Sequence, residues 1–262
     1  MEKPSRRIVL AVFNLLGFTA VVIVNVLAET VPIGGMTTGQ ISDLYPNLFV
    51  PAGLTFSIWG LIYLLLALFS VFGMIRSIGK GGSSVFLKRI GPLFLATCIA
   101  NVGWIFAWHF LNLPVSLALM LMLLASLIMI YVRLDIGRSE ASSAEKAMVH
   151  LPMSVYLGWI TIATIANITV TLVHYGWNGF GISQPLWTMI MIAAGIALGI
   201  AALLRRGDVF FALTVDWAVL GILIKQMSAE GRPAGILITS AAGVAILSLG
   251  VIIRTARREV YR

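Results

Sequence analysis

Long apolar stretches alternate with short polar segments along the chain, and this alternation predicts the fold. Each stretch holds close to the roughly 20 residues that an α-helix needs to cross about 30 Å of hydrocarbon. Lipid offers no partner to unpaired backbone groups, and the stretches lack the alternating polarity of barrel strands, so we expect helices. The pattern predicts an all-α membrane protein with about eight transmembrane helices. The predicted spans are residues 8–27, 54–74, 90–110, 114–132, 148–173, 186–204, 209–227 and 234–253.

Composition supports a lipid environment. Of the 262 residues, 60% are hydrophobic and 11% are charged, whereas soluble domains carry about 25% charged residues. The net charge of +8 comes from short basic clusters between apolar stretches, as is typical of segments beside anionic lipid headgroups. We therefore expect membrane lipids as partners and no nucleic acid.

The basic residues also predict the orientation, because cytoplasmic loops carry an excess of Lys and Arg. With the N-terminus inside and eight spans, only Lys225 and Arg232 fall outside. This predicts a multi-pass protein of the cell membrane with both termini in the cytoplasm. The inner basic residues are Lys3, Arg6, Arg7, Arg76, Lys80, Lys88, Arg89, Arg133, Arg138, Lys146, Arg205, Arg206, Arg254, Arg257, Arg258 and Arg262.

The first span has a second interpretation, a secretory signal peptide, because basic residues precede an apolar run that ends near Ala28. That run is longer than the usual core of about 7–15 residues. It also contains Asn14 and Asn25, as in a helix that packs on protein. We expect an uncleaved span.

Aromatic and amide residues recur on one face of spans 2, 3 and 5. Their spacing of three to four residues places each set on a single side of its helix. Aromatic rings with a few amides and hydroxyls suit a flat, largely apolar ligand. Such stripes also fill cores or form interfacial belts, and we expect belt positions for Trp177 and Trp187. The candidate ligand-binding residues are Phe56, Trp59, Tyr63, Asn101, Trp104, Trp108, Tyr156, Trp159, Ala163 and Asn167.

Four segments resemble the tryptophan-rich sensory protein (TspO) family, also called the translocator or peripheral benzodiazepine receptor family. Residues 45–51 (YPNLFVP) and 56–63 (FSIWGLIY) are similar to its first loop and second helix. Residues 100–108 (ANVGWIFAW) are similar to its third helix, and residues 156–167 (YLGWITIATIAN) to its fifth. The resemblance covers roughly residues 8–175.

The resemblance implies a five-helix bundle over residues 1–175 and a pocket closed by the loop between helices 1 and 2. Family members bind porphyrins, and some bind sterols or synthetic aromatic drugs. Trp59, Asn101, Trp104, Tyr156, Trp159 and Asn167 match positions that line or support that pocket. Tyr45, Asn47 and Pro51 match the lid and its junction with helix 2. By its length alone, the loop over residues 29–50 is either a lid over a site or a surface connector.

Three features depart from the family pattern. The Trp- and Pro-rich segment before helix 2 is reduced to residues 50–53 (VPAG), and the proline before the Tyr-x-x-Trp motif stands three residues early, at Pro152. Residues 176–262 form three additional predicted transmembrane helices. They suggest a longer subfamily, whose activity can differ from that of the five-helix members.

Asp216 lies near the middle of span 7, where a lone carboxylate is costly and is a functional candidate by default. It could serve an ion or proton path, or form a structural hydrogen bond to a neighbouring helix. Lys225 lies too far along the helix to pair with it and should reach the outer interface. Span 8 is rich in Gly, Ala and Ser, which suits either internal packing or a homodimer.

No catalytic or metal-binding constellation stands out. His109, His150 and His174 have no metal-ligating partner at helical spacing, although His109 beside Trp108 could be an axial ligand to a haem-like ring. We therefore expect no metal and no enzyme. The prediction is a membrane protein that binds a porphyrin or other tetrapyrrole as a sensor, carrier or scavenger. The alternative is a secondary transporter that uses Asp216.

Overall fold

The computed structural model describes residues 4–79, 85–229, 231 and 233–260. For residues 4, 5 and 258–260 it describes the backbone alone. Among the basic residues of the orientation argument, Lys3, Lys80, Arg232 and Arg262 lie outside the described residues, as does the side chain of Arg258.

Within these residues, eight main helices follow one another and confirm the predicted all-α membrane fold. Seven are long and apolar enough to cross a membrane. The eighth, α3, has 17 residues, at the lower end of the length that spans a bilayer. The helices are α1 (Pro4–Thr30), α2 (Ile58–Ile78), α3 (Leu93–His109), α4 (Leu113–Arg133), α5 (Leu151–His174), α6 (Gln184–Arg206), α7 (Val209–Met227) and α8 (Ala234–Val260).

Local signals in the sequence explain where several helices begin and end. The Asn112 side chain accepts a hydrogen bond from the Val115 amide at the start of α4, and Asp208 accepts from two amides at the start of α7. Each thereby pairs backbone donors that the helix itself leaves free. Helix α6 ends at Gly207, whose φ of 65° is left-handed and suits glycine.

A wide π-type turn, Lys146–His150, precedes α5. Pro152 stands two residues after it, at the second position of α5. A proline cannot donate to the carbonyl four residues back and its ring crowds that carbonyl. A wider turn at this point gives the ring room without ending the helix.

The first of two compact units comprises Met1–Ile41 and Trp59–Leu157. In it, α3 packs against both α4 and α1. Three phenylalanines form part of its core: the Phe69 ring lies 4.6 Å from the Phe94 ring and 6.0 Å from the Phe86 ring, between centroids. All three side chains are buried.

The second unit comprises Ser42–Ile58 and Gly158–Arg262. Helices α6, α7 and α8 pack against one another here. Glycines allow the close approach, since a methyl group at Gly243 would overlap Ile196 and one at Gly250 would lie 3.1 Å from Leu203. The small residues of α8 therefore serve internal packing at these two positions.

These units divide the chain differently from the sequence-based boundary at residue 175. The segment Ser42–Ile58 and the second part of α5 group with the last three helices. The earlier boundary came from family motifs, not from packing, and it stays a prediction.

Candidate functional site

In the first unit, the predicted ligand-binding residues of α2 and α5 pack directly against one another. The Trp59 ring stacks on Tyr63, with centroids 5.5 Å apart and an interplanar angle of 22°. It also meets Tyr156 edge-on at 6.2 Å. Tyr156 is fully buried. These three rings form one aromatic cluster.

Asn101 links three helices through its amide. Its Oδ1 accepts a 2.8 Å hydrogen bond from Asn25 Nδ2 of α1, and its Nδ2 donates to the Tyr156 hydroxyl at 3.3 Å. Asn25 Nδ2 also donates to the Val21 carbonyl at 2.8 Å. Interhelical polar contacts of this kind hold membrane helices together, because lipid supplies no competing partner.

The C-terminal end of α3 carries a second aromatic pair. Trp104 and Trp108 stack at 5.6 Å, and Trp108 Nε1 donates to the Thr38 carbonyl at 3.2 Å. The Trp104 Nε1 donor is buried and, among the described residues, has no hydrogen-bond partner. His109 is buried and its Nδ1 lies 2.8 Å from the Ile105 carbonyl. An unsatisfied buried indole donor is costly, and a ligand acceptor would relieve that cost.

In the second unit, the remaining predicted ligand-binding and lid residues lie on the segment Ser42–Ile58 and on α5. Phe56 meets the Trp159 ring edge-on at 5.9 Å, and Asn167 is buried while Ala163 is half-buried. The predicted lid residue Tyr45 meets His174 edge-on at 5.6 Å. Another, Pro51, is buried.

Helix α7 holds the segment Ser42–Ile58 by three hydrogen bonds. The Ala52 amide donates to the Gly221 carbonyl at 3.0 Å, Trp217 Nε1 donates to the Thr55 carbonyl at 2.9 Å, and Gln226 Nε2 donates to the Leu48 carbonyl at 2.9 Å. The Thr55 side chain occupies the space that a Cβ at Gly221 would fill. These hydrogen bonds anchor the segment that carries the predicted lid residues to α7.

Asn47 shapes the turn within the Ser42–Ile58 segment. Its Oδ1 accepts from the Phe49 and Val50 amides, and its Nδ2 donates to the Tyr45 carbonyl. Such an Asn side chain replaces backbone partners in a turn.

The turn places Leu48 and Phe49 in the wall of a cavity of about 400 Å³, here called the apolar cavity. Trp177 and Trp187 stand in the same wall, with ring centroids 5.2 Å apart, and Trp187 Nε1 donates to the Gly179 carbonyl at 2.8 Å. Asn47 is the one predicted ligand or lid residue among its described lining residues. The other lining residues are Ile168, Thr169, Leu172, Val173, Asn178, Gly179, Ile182, Gln184, Thr188 and Met191.

A second cavity of about 290 Å³, here called the polar vestibule, shares Asn47, Leu48 and Gln184 with the apolar cavity. Its lining also includes Asp43 and Lys225. The Lys225 Nζ lies 3.7 Å from Asp43 Oδ1. The two cavities thus adjoin, one apolar and one carrying charge.

Asp216 of α7 accepts a 2.8 Å hydrogen bond from the Ser248 hydroxyl of α8 through Oδ2. Its Oδ1 is buried and has no hydrogen-bond partner within the described part of the chain. The hydrogen bond to a neighbouring helix that the sequence left open is therefore present. A functional role for the carboxylate stays a prediction.

Sequence reasoning missed the apolar cavity. Trp177 and Trp187 read as an interfacial belt because they flank a predicted loop. The signal that could have located them together is the glycine-rich turn between them, in which Gly179 and Gly181 both take positive φ. Such a turn brings residues ten apart into contact.

Comparison with known proteins places the sequence pattern in a family. A family model described as TSPO-like protein matches residues 11–253, and so reaches into all eight helices, including the three that the motif resemblance left outside. No curated protein and no solved structure matches the chain.

Proposed function

The chain belongs to the TSPO-like protein family, and from that premise we propose that this multi-pass membrane protein binds a flat, largely apolar ligand such as a porphyrin or other tetrapyrrole. It would act as a sensor, carrier or scavenger and not as an enzyme. The observation that carries the proposal is the apolar cavity, with two indoles and the Asn47 turn in its wall.

The dimensions and chemistry of the apolar cavity support this proposal. Its volume of about 400 Å³ falls within the range of roughly 300–1,000 Å³ that small-molecule sites occupy. Indole faces stack on planar aromatic ligands, and aliphatic side chains such as Leu172 and Met191 fill the remaining wall. A few polar groups, among them Thr188 and Gln184, would orient the ligand.

Two phenylalanine variants of α6 test the cavity. Met191 lines it, whereas the neighbouring residue Ile190 is 40% exposed and is not among its lining residues. In a titration of purified protein with a porphyrin, followed by porphyrin absorbance, Met191→Phe should weaken binding by at least about tenfold, because the larger ring fills the space. Ile190→Phe should bind like the parent. Equal binding by all three proteins would contradict this site.

The residues implied by the family resemblance need a separate test, because they form the aromatic clusters of α2, α3 and α5. A Trp59→Ala plus Trp159→Ala double variant removes two of their rings. If these residues hold the ligand, porphyrin affinity, measured by porphyrin absorbance, falls in the double variant. Unchanged affinity would remove them from the site.

We further propose that both termini lie in the cytoplasm, as the basic residues indicate. The end of α5 at His174, the start of α6 at Gln184 and the Ser42–Ile58 segment then lie on the outer side. A ligand would enter the apolar cavity from that side of the membrane.

A second candidate function is secondary transport, favoured by the part-buried Asp216–Ser248 hydrogen bond between two predicted spans. A carboxylate with one unpaired oxygen inside a membrane protein can bind a proton or a cation. Uptake into proteoliposomes should then depend on pH in the parent, and the dependence should disappear in Asp216→Asn. Identical uptake by parent and variant would remove the basis for transport.

A further inference from the structure

The polar vestibule and the apolar cavity adjoin and differ in chemistry. Three residues, Asn47, Leu48 and Gln184, line both cavities, so the two cavities are direct neighbours. The wall of the apolar cavity holds indoles and aliphatic side chains. The lining of the polar vestibule includes Lys225.

Lys225 is held only loosely by Asp43. Their separation of 3.7 Å is longer than a hydrogen bond, and the Asp43 side chain is 72% exposed. Solvated pairs of this kind contribute little. An ammonium group has three donors and no acceptor, so Lys225 retains the capacity to bind an anion.

The start of α6 adds a second feature that favours negative charge. This helix has 23 residues and begins at Gln184, which lines both cavities. Its N-cap residue, Ser183, makes no side-chain capping hydrogen bond within the described residues. Pro185 in the first turn has no amide hydrogen to donate, but the dipole and the remaining first-turn amides of a long helix favour an anion at its N-terminus.

We propose that the ligand is an amphiphile with an anionic head, a carboxylate or phosphate, on a flat or slender apolar body. The head lies in the polar vestibule between Lys225 and the start of α6, where it displaces Asp43, and the body fills the apolar cavity. This inference rests on the proposed function, because it gives the ligand class for the same cavity.

A matched pair of ligands tests the head directly. A dicarboxylic porphyrin and its dimethyl ester share the ring and differ in charge. The parent should bind the acid roughly tenfold more tightly than the ester, as one charge-assisted hydrogen bond would provide. Lys225→Gln should lose that preference and Lys225→Arg should keep it. Asp43→Asn should bind the acid more tightly than the parent, because a competing carboxylate is gone.

Lys146→Gln is the control, since it removes one positive charge from an exposed residue that neither cavity includes. It should preserve the preference for the acid. If the parent binds acid and ester equally, or if Lys225→Gln retains the preference, the anionic-head proposal is overturned while ligand binding stands. If neither porphyrin binds, the proposed function itself fails.

Competition with lipids distinguishes the source of the anion. Short-chain phosphatidylglycerol and phosphatidylcholine differ in net charge and share their tails. Displacement of the porphyrin by phosphatidylglycerol alone, in a Lys225-dependent way, supports a lipid as the ligand. Displacement by neither lipid, with the acid preference intact, supports a free carboxylate. Equal displacement by both lipids would overturn a requirement for an anionic head.

Discussion

The hydrogen bond between Asn25 and Asn101 offers a quantitative test of how the first unit is held together. Asn101 is completely buried, and its amide joins α1 through Asn25 and α5 through Tyr156. Replacing Asn101 by alanine removes both interhelical bonds and leaves the Tyr156 hydroxyl without this donor. A double-mutant cycle with Asn25→Ala isolates the single bond between the two amides.

The expected magnitudes follow from measured interhelical hydrogen bonds, which average about 0.6 kcal/mol and reach about 1.7 kcal/mol. Asn101→Ala should therefore lower the free energy of unfolding by about 1–3 kcal/mol, because two bonds are lost. The coupling energy in the cycle should be about 0.6–1.7 kcal/mol. Asn25→Ala also removes the bond to the Val21 carbonyl, but this loss cancels from the coupling term.

Unfolding of the four proteins by sodium dodecyl sulfate in mixed micelles, followed by circular dichroism, measures these values. Asn14 supplies the control on the same helix. It is buried, and neither amide atom has a hydrogen-bond partner within the residues described. Asn14→Ala should show no coupling to Asn101, because neither amide atom of Asn14 bonds to it. A coupling between Asn25 and Asn101 no larger than that of the control pair would refute this account of the packing.

Two further predictions concern the contact of the Ser42–Ile58 segment with α7 and the orientation of the chain in the membrane. Gly221→Ala should lower the free energy of unfolding by about 1–3 kcal/mol through overpacking against the loop segment, measured by thermal unfolding in detergent. The free energy of unfolding of Gly60→Ala should stay within about 1 kcal/mol of the parent's, since an added methyl there meets no atom within 4 Å. An equal loss of stability in both variants would contradict the close contact between Gly221 and the Ser42–Ile58 segment. In a Cys98→Ala background, a membrane-impermeant maleimide applied outside cells should label Ser228→Cys but not Ser143→Cys. The reverse pattern would invert the proposed topology.

The helices could be predicted from the sequence because the physical signal is local. A stretch of about 20 apolar residues has few options in lipid, and the predicted span 209–227 has the same bounds as α7. Asn25 read as a sign of packing on protein, and the structure gives its partner, Asn101. The length of an apolar stretch thus fixed the element, and one polar residue indicated its buried face.

The contact of the Ser42–Ile58 segment with α7 and the apolar cavity could not be predicted, because both depend on residues far apart in the chain. Thr55 fits against Gly221, and no periodicity within either segment relates them. The sequence predicts interfacial positions for Trp177 and Trp187, because indoles are common at the membrane–water interface. What brings them together is a turn with left-handed residues, including Phe180 at φ 53°, and a turn of this kind has little signature beyond its glycines.

The claim that the apolar cavity is the ligand site is tested most directly by a structure with an iron porphyrin bound. The anomalous signal of iron locates the ring without reference to the protein map. We expect a single peak within the apolar cavity, with planar density against Trp177 and Trp187. A peak among the α2 and α3 aromatic clusters, or one on the lipid-facing surface with the cavity empty, would contradict the account.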